Sequence, residues 1–221
     1  MHKKYLLPMM ILWVALFLPT AVNATGLLFN LGSCNPAYFQ DLAKYAEVLS
    51  DHGVRMSLND DVARVVPLDS MDIAYAHAQA RPPLVIGGIE VTGFIDGVVT
   101  DEITESTSYI WGISTLSPVH VVASLINALL PEDKTLQEIH KDVYLRSERI
   151  QLNDRECGWG RAPLLRHGTP SRGVVAKGLI IENVLSIDNV PPEGRTWVTC
   201  EMHGKAIPIE LLREERPDVV R

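Results

Sequence analysis

Leu27-Leu28-Phe29-Asn30-Leu31, followed by Gly32-Ser33-Cys34-Asn35-Pro36, is the stretch on which the fold reading turns. A short apolar run bounded by turn residues reads as a buried strand. Behind it a helix is predicted. Asn35 is placed to cap it, Pro36 suits its first turn, and Phe39, Leu42, Ala46 and Leu49 fall on one face. Gly53 supplies the stop. Residues 54–58 alternate apolar and polar, as a half-buried strand does, and Asn59-Asp60-Asp61 begins a loop. Residues 70–79 read as a short helix, stopped by Pro82 and Pro83. Residues 84–86 and 89–94 read as two strands joined by a turn at Gly87-Gly88.

Residues 95–108 carry few firm signals, and 109–113 read as a strand. Ser117-Pro118 opens a helix with Val121, Val122, Leu125, Ile126 and Leu129 as its stripe, ended by Pro131. Thr135 and Glu138 have capping-box spacing, with Leu136, Ile139 and Val143 at helical intervals, so another helix is predicted there. Beyond Arg146 the character turns to β. Residues 149–152, 174–176 and 179–187 read as strands, 190–194 as a turn, and 196–202 with 205–209 as a hairpin across His203-Gly204. The fold class is therefore mixed, α+β or α/β. An α/β portion spans 25–146, a β-rich portion 147–211 and a charged tail 212–221; the division at 146 is equally compatible with one α+β domain. The tail, with Pro217 and its charges, reads as solvated.

The order strand, Cys34 at a helix start, strand, helix, proline and two-strand hairpin resembles the thioredoxin/glutaredoxin fold over residues 25–96. The resemblance implies a βαβαββ front portion. It also implies that Pro83 fills the place of the family's cis-proline, facing Cys34. Cys34-Asn35-Pro36-Ala37 lacks the second thiol of the family's Cys-x-x-Cys centre. The redox role so implied is that of a single thiol.

The N-terminus describes an address. His2, Lys3 and Lys4 precede an apolar run at 5–19, and Val22-Asn23-Ala24 puts small residues at the two positions a signal peptidase reads. Residues 1–24 therefore read as a secretory signal peptide. The run is shorter than the roughly 20 residues of a membrane span, and no second span is predicted, so no membrane span is expected after cleavage. Cleavage after Ala24 removes Lys3 and Lys4 and takes the formal charge from −7 to −9. That balance, without a dense basic cluster, argues against nucleic-acid binding. Export permits disulfides.

Three cysteines follow the leader: Cys34, Cys157 and Cys200. At most one internal bridge forms, leaving one thiol over. Cys157 and Cys200 lie in the same β-rich portion and are the expected pair. The strand pattern puts Val198, Cys200 and Met202 on one inward face. Cys34, at a predicted helix N-terminus, is the candidate reactive thiol, because the partial positive charge there favours thiolate; a small buried side chain is the alternative. Cys157, His167, Cys200 and His203 form a conceivable but unfamiliar metal-ligand set, and no metal site is assigned. Arg166-His167-Gly168 resembles the phosphate-binding motif of the histidine phosphatases, but it stands late in the chain among β-type residues.

No nucleophile elbow, phosphate loop or His-Glu-x-x-His motif occurs, and no cofactor is implied. The function expected from the residues is a non-enzymatic one. It is that of an exported envelope protein contacting other envelope proteins, as an accessory factor in secretion, conjugation or surface assembly. A thiol–disulfide protein using Cys34 and Pro83 is one alternative; a small-ligand or metal-binding protein is the other.

Overall fold

A computed structural model describes residues 24–66, 76–151, 159–161, 180–190 and 194–220. The protein is mixed helix and sheet. Among the described residues, strands β3 (Ala76–Ile86), β4 (Ile89–Asp101), β5 (Ser106–Thr115), β10 (Arg195–Lys205), β9 (Ile180–Val190), β7 (Val143–Gln151) and β6 (Gln137–His140) lie side by side in that order. The short β8 (Trp159–Arg161) also pairs with β7. Every pairing is antiparallel. The sheet draws strands from both sides of position 146, and β7 straddles it. A separate hairpin joins β1 (Met56–Asn59) to β2 (Val62–Val65).

Helices α1 (Thr25–Gly32), α2 (Ala37–Lys44), α3 (Ala46–Asp51) and α4 (Val119–Leu129) precede or interrupt the strands, and α5 (Ile209–Glu215) follows them. The inward face of the central strand β10 presents Val198, Cys200 and Met202, all with no exposed surface, as its alternation predicts. Helices α1 and α4 pack on that side of the sheet: α1 meets β10, and α4 meets β9. Gly32 lets them approach closely, because a Cβ there would lie 2.8 Å from the Ile126 side chain. On the other face the β10 side chains are half-exposed and tied by polar pairs, Ser186 with Thr199 (2.7 Å) and Ser108 with His203 (2.9 Å).

Several expected elements are observed. The 84–94 hairpin turns at Gly87-Gly88, both at positive φ, where a Cβ is disfavoured. Helix α4 starts after Pro118 and ends before Pro131. Asn35 accepts the Ala37 N–H through its Oδ1 (2.9 Å), and Gly53 adopts φ +77°.

Other expectations are corrected. Residues 27–31 form helix α1, not a strand. Five residues of apolar run do not separate the two, and here Leu27, Leu28 and Leu31 bury on one helical side while Phe29 faces out. Residues 76–79 belong to β3, not to a helix; the rest of 70–79 lies outside the described residues. The Thr135/Glu138 helix is absent: 137–140 and 143–151 are strands, and tertiary pairing with β9 overrides the capping-box spacing. Residues 95–108, which carried few signals, hold the β4–β5 hairpin. β10 runs unbroken through His203-Gly204, so its hairpin partner is β9, and residues 209–215 are helical.

Pro82 and Pro83 sit inside the edge strand β3. Having no N–H, they interrupt its ladder, and the register with β4 shifts between Gln79 and Leu84. The cis bond precedes Pro82 (Arg81–Pro82), not Pro83, and both prolines are exposed.

Candidate functional site

Cys34 is bonded to Cys200, across 166 residues of chain. This corrects the expected Cys157–Cys200 pair, since one sulfur holds one bridge; Cys157 itself lies outside the described residues. The local chain explains why Cys34 reaches. Cys34 follows α1 in a Schellman turn: its N–H donates to Leu31 C=O (2.9 Å) and the Asn35 N–H to Asn30 C=O (2.8 Å). Its φ is +50°, a position usually given to glycine. The turn aims the side chain down at β10. Cys34 is 3 % exposed and Cys200 0 %, so a thiolate from solvent reaches neither sulfur without local opening. Cys34 precedes α2 by three residues, as expected. Pro83, meanwhile, lies exposed on the outer strand of the sheet.

The metal-ligand set does not assemble from what is described. Cys200 is bridged, and His203, three residues on, belongs to the opposite face of the same strand and meets Ser108. Cys157, His167 and the Arg166-His167-Gly168 motif lie outside the described residues. Among the described residues no three His, Cys, Asp or Glu side chains converge in a metal-binding arrangement. A Ser–His contact does occur: His77 Nε2 lies 2.8 Å from Ser114 Oγ. Ser114 has no exposed surface and its Oγ is also 3.2 Å from Thr92 Oγ1, so no substrate carbonyl reaches it. It ties β3 to β5.

The densest chemistry surrounds Arg216, in the segment expected to be solvated. That expectation is corrected for 215 and 216: Arg216 has no exposed surface and Glu215 is buried. The guanidinium lies 4.9 Å from the ring centroids of Phe39 and Trp111 and 5.7 Å from that of Tyr109. These distances are those of cation–π contact. Its Nε and Nη2 donate to the two carboxylate oxygens of Asp218 (2.8 and 2.7 Å), a fork pairing that lysine cannot make. Nη2 also lies 3.6 Å from Asp96 Oδ1. Asp96, on β4, accepts from Arg64 of β2 at 3.2 and 3.1 Å. Tyr38 of α2 donates to Gly112 C=O (3.4 Å) beneath this cluster.

Burial sets the electrostatics. It pushes the Asp96 carboxyl above its ordinary value, and Arg216 and Arg64 offset part of that. Burial also raises Tyr38, with Asp96 adding to the effect. For Arg216 burial opposes the charge, but the Asp218 hydrogen bonds and the Asp96 charge outweigh it and its pKa rises.

Beside the cluster runs a groove of about 650 Å³, lined by Ser57, Leu58, Asn59, 62–66, Asp218 and Val219. The Val66 N–H donates to Arg55 C=O (2.9 Å). Arg55, Ser57 and Asn59 therefore pair toward β2, while the backbone groups of Met56 and Leu58 point away. Among the described residues β1 has no second strand neighbour, and Leu58 is 60 % exposed. Sequence reasoning missed this whole assembly. β1 was expected as half-buried but is mostly exposed, β2 was unassigned, and nothing local to Arg216-Pro217-Asp218 distinguishes it from a solvated charge run.

No family model, no curated protein and no solved structure matches the chain. Among the described residues no helix is long and apolar enough to cross a membrane.

Proposed function

We propose that this is an exported protein that works without catalysis, as an accessory factor in secretion, conjugation or surface assembly. In this reading it holds an extended segment of another envelope protein along β1. The observation that carries the proposal is the open edge of β1 beside the groove. An extended segment adds there as a third strand, satisfying the outward backbone groups of Met56 and Leu58, with Leu58 as an apolar contact. The Cys34–Cys200 pair and the leader-like 1–24 support export.

A photo-crosslinking residue at Ser57, in the protein expressed in its own host, tests the binding mode. The expected result is one identified envelope partner, retained in Leu58→Ala and lost in Leu58→Pro. Proline removes an outward donor and leaves the β1–β2 ladder whole. Equal crosslinking in both variants would overturn strand addition. Export predicts that the host's mature protein begins at Thr25, read by N-terminal mass spectrometry; an intact Met1 would count against it. The thiol–disulfide alternative, with Cys34 as the exchanging sulfur, forecasts instead that Cys34→Ser abolishes partner trapping.

A further inference from the structure

We infer that the aromatic cage over Asp96 is an arginine-recognition site, filled in this structure by the chain's own Arg216, and that the partner in the groove presents an arginine that replaces it. The inference rests on the groove reading above and names the chemistry of the partner.

The occupant in place defines the ligand class. Phe39 and Trp111 take a planar cation 4.9 Å from each ring centroid, with the Asp96 carboxylate beside it. The segment that delivers Arg216 is two-sided. Leu212, Glu215 and the Asp218 side chain are buried with it, and Leu211, Val219 and Val220 pack partly buried against the core, while Ile209, Glu210, Arg213 and Glu214 are exposed. The segment starts after Ala206, which is held at φ +51°, a left-handed conformation that residues with a Cβ adopt at a cost.

Release of the segment is balanced in charge. Arg216 leaves with Asp218, its bidentate partner two residues away, as a neutral pair. Asp96 keeps Arg64, whose side chain is 39 % exposed. The Asp96 charge is not stranded, and stranding a buried charge is what makes breaking such a pair costly. The emptied cage adjoins the groove where Asp218 and Val219 line it now. Asp60 and Asp61, exposed at the tip of the β1–β2 hairpin, give that end an acidic rim. An arginine with a carboxylate two residues along restores every contact that Arg216 and Asp218 make.

The probe is a fluorescein-labelled peptide of residues 209–220, which carries Arg-Pro-Asp, titrated by anisotropy into the full chain. Arg216→Ala is expected to bind it at least tenfold more tightly than the unaltered protein, because the internal competitor is gone. The peptide with citrulline at position 216 is expected to lose at least tenfold. Arg216→Lys keeps charge and most of the volume, and it serves if Arg216→Ala does not fold; threefold tightening is expected. Equal binding by the unaltered protein and both variants, or by arginine and citrulline peptides, overturns the inference. Loss of the Ser57 crosslink only in Leu58→Pro, together with arginine-indifferent peptides, keeps the groove function and removes the cage. Arginine-selective peptide binding with no strand-addition crosslink does the reverse. A concentration-dependent dimer of the unaltered protein, abolished by excess peptide, overturns the assignment to a foreign partner, because a second copy then supplies the arginine.

Discussion

Two ties hold peripheral elements to the sheet, and they differ in kind. The Cys34–Cys200 bond pins α1 to the centre of β10; the Arg216 cluster pins the segment after α5 to α2, β4 and β5. The first is covalent, uncharged and indifferent to pH or salt. The second is made of a buried cation, two carboxylates and three aromatic rings, and each of its charged groups has a strong alternative in water. A buried ion pair is poor evidence of stability, since well-packed apolar groups of similar volume do as well or better. The covalent tie suits permanent attachment. The ionic tie suits a contact that must be specific and reversible.

The largest effect expected from breaking this contrast is on the bond. It closes 166 residues, and a loop of that length implies about 5 kcal/mol of stabilisation on the chain-entropy account. Cys34→Ala with Cys200→Ala is expected to lower the urea midpoint accordingly. An unchanged midpoint would show that packing alone holds α1 to the sheet. Arg216→Ala comes next, at about 3 kcal/mol, because it strands buried Asp218 beside Asp96. Replacing both charges, Arg216→Met with Asp218→Leu, is expected to cost less than about 1 kcal/mol. If the double variant is as damaged as the single, the cluster is structural and not a specificity device.

The pH dependence separates the two ties further. Burial raises the folded-state pKa of Asp96. Its contribution is therefore fully present below the unfolded carboxyl value, near 4, and is lost as pH rises through the folded value. Asp96→Asn is expected to remove that component, seen as a smaller fall in Tm between pH 4 and pH 7. The cysteine double variant is expected to leave that pH difference unaltered. The smallest expected effect sharpens the account of the turn. In a Cys200→Ala background, Cys34→Gly is expected to be more stable than Cys34→Ser by about 1 kcal/mol, since φ +50° favours glycine. Equal stabilities would mean that the turn relaxes once the bond is gone.

What was legible follows from the range of the signal. β10 alternates over eleven residues, so Cys200 is placed inward by local pattern alone. Helix α4 has an apolar stripe between two prolines, and the Gly87-Gly88 turn needs positive φ; both are local facts. Residues 27–31 are too few to show a period, and what makes them helix is the fit of Leu27, Leu28 and Leu31 against α2, α4 and β10. Thr135 and Glu138 have helix-start spacing, but the 143–151 strand they precede is claimed by β9.

The site was less legible than the fold. Arg64, Asp96, Arg216 and Asp218 are ordinary surface-type residues until three separate parts of the chain, β2, β4 and the segment after α5, bring them together. By itself the sequence determined the mixed class, the inward face of β10, the limits of α4 and the Gly87-Gly88 hairpin, because each is a periodicity or backbone constraint written within a dozen residues. Only the tertiary structure decided that Cys34 rather than Cys157 meets Cys200, and that a charged tail buries Arg216. A bond across 166 residues and the burial of a charge depend on what arrives from elsewhere in the chain, and local pattern carries no record of that.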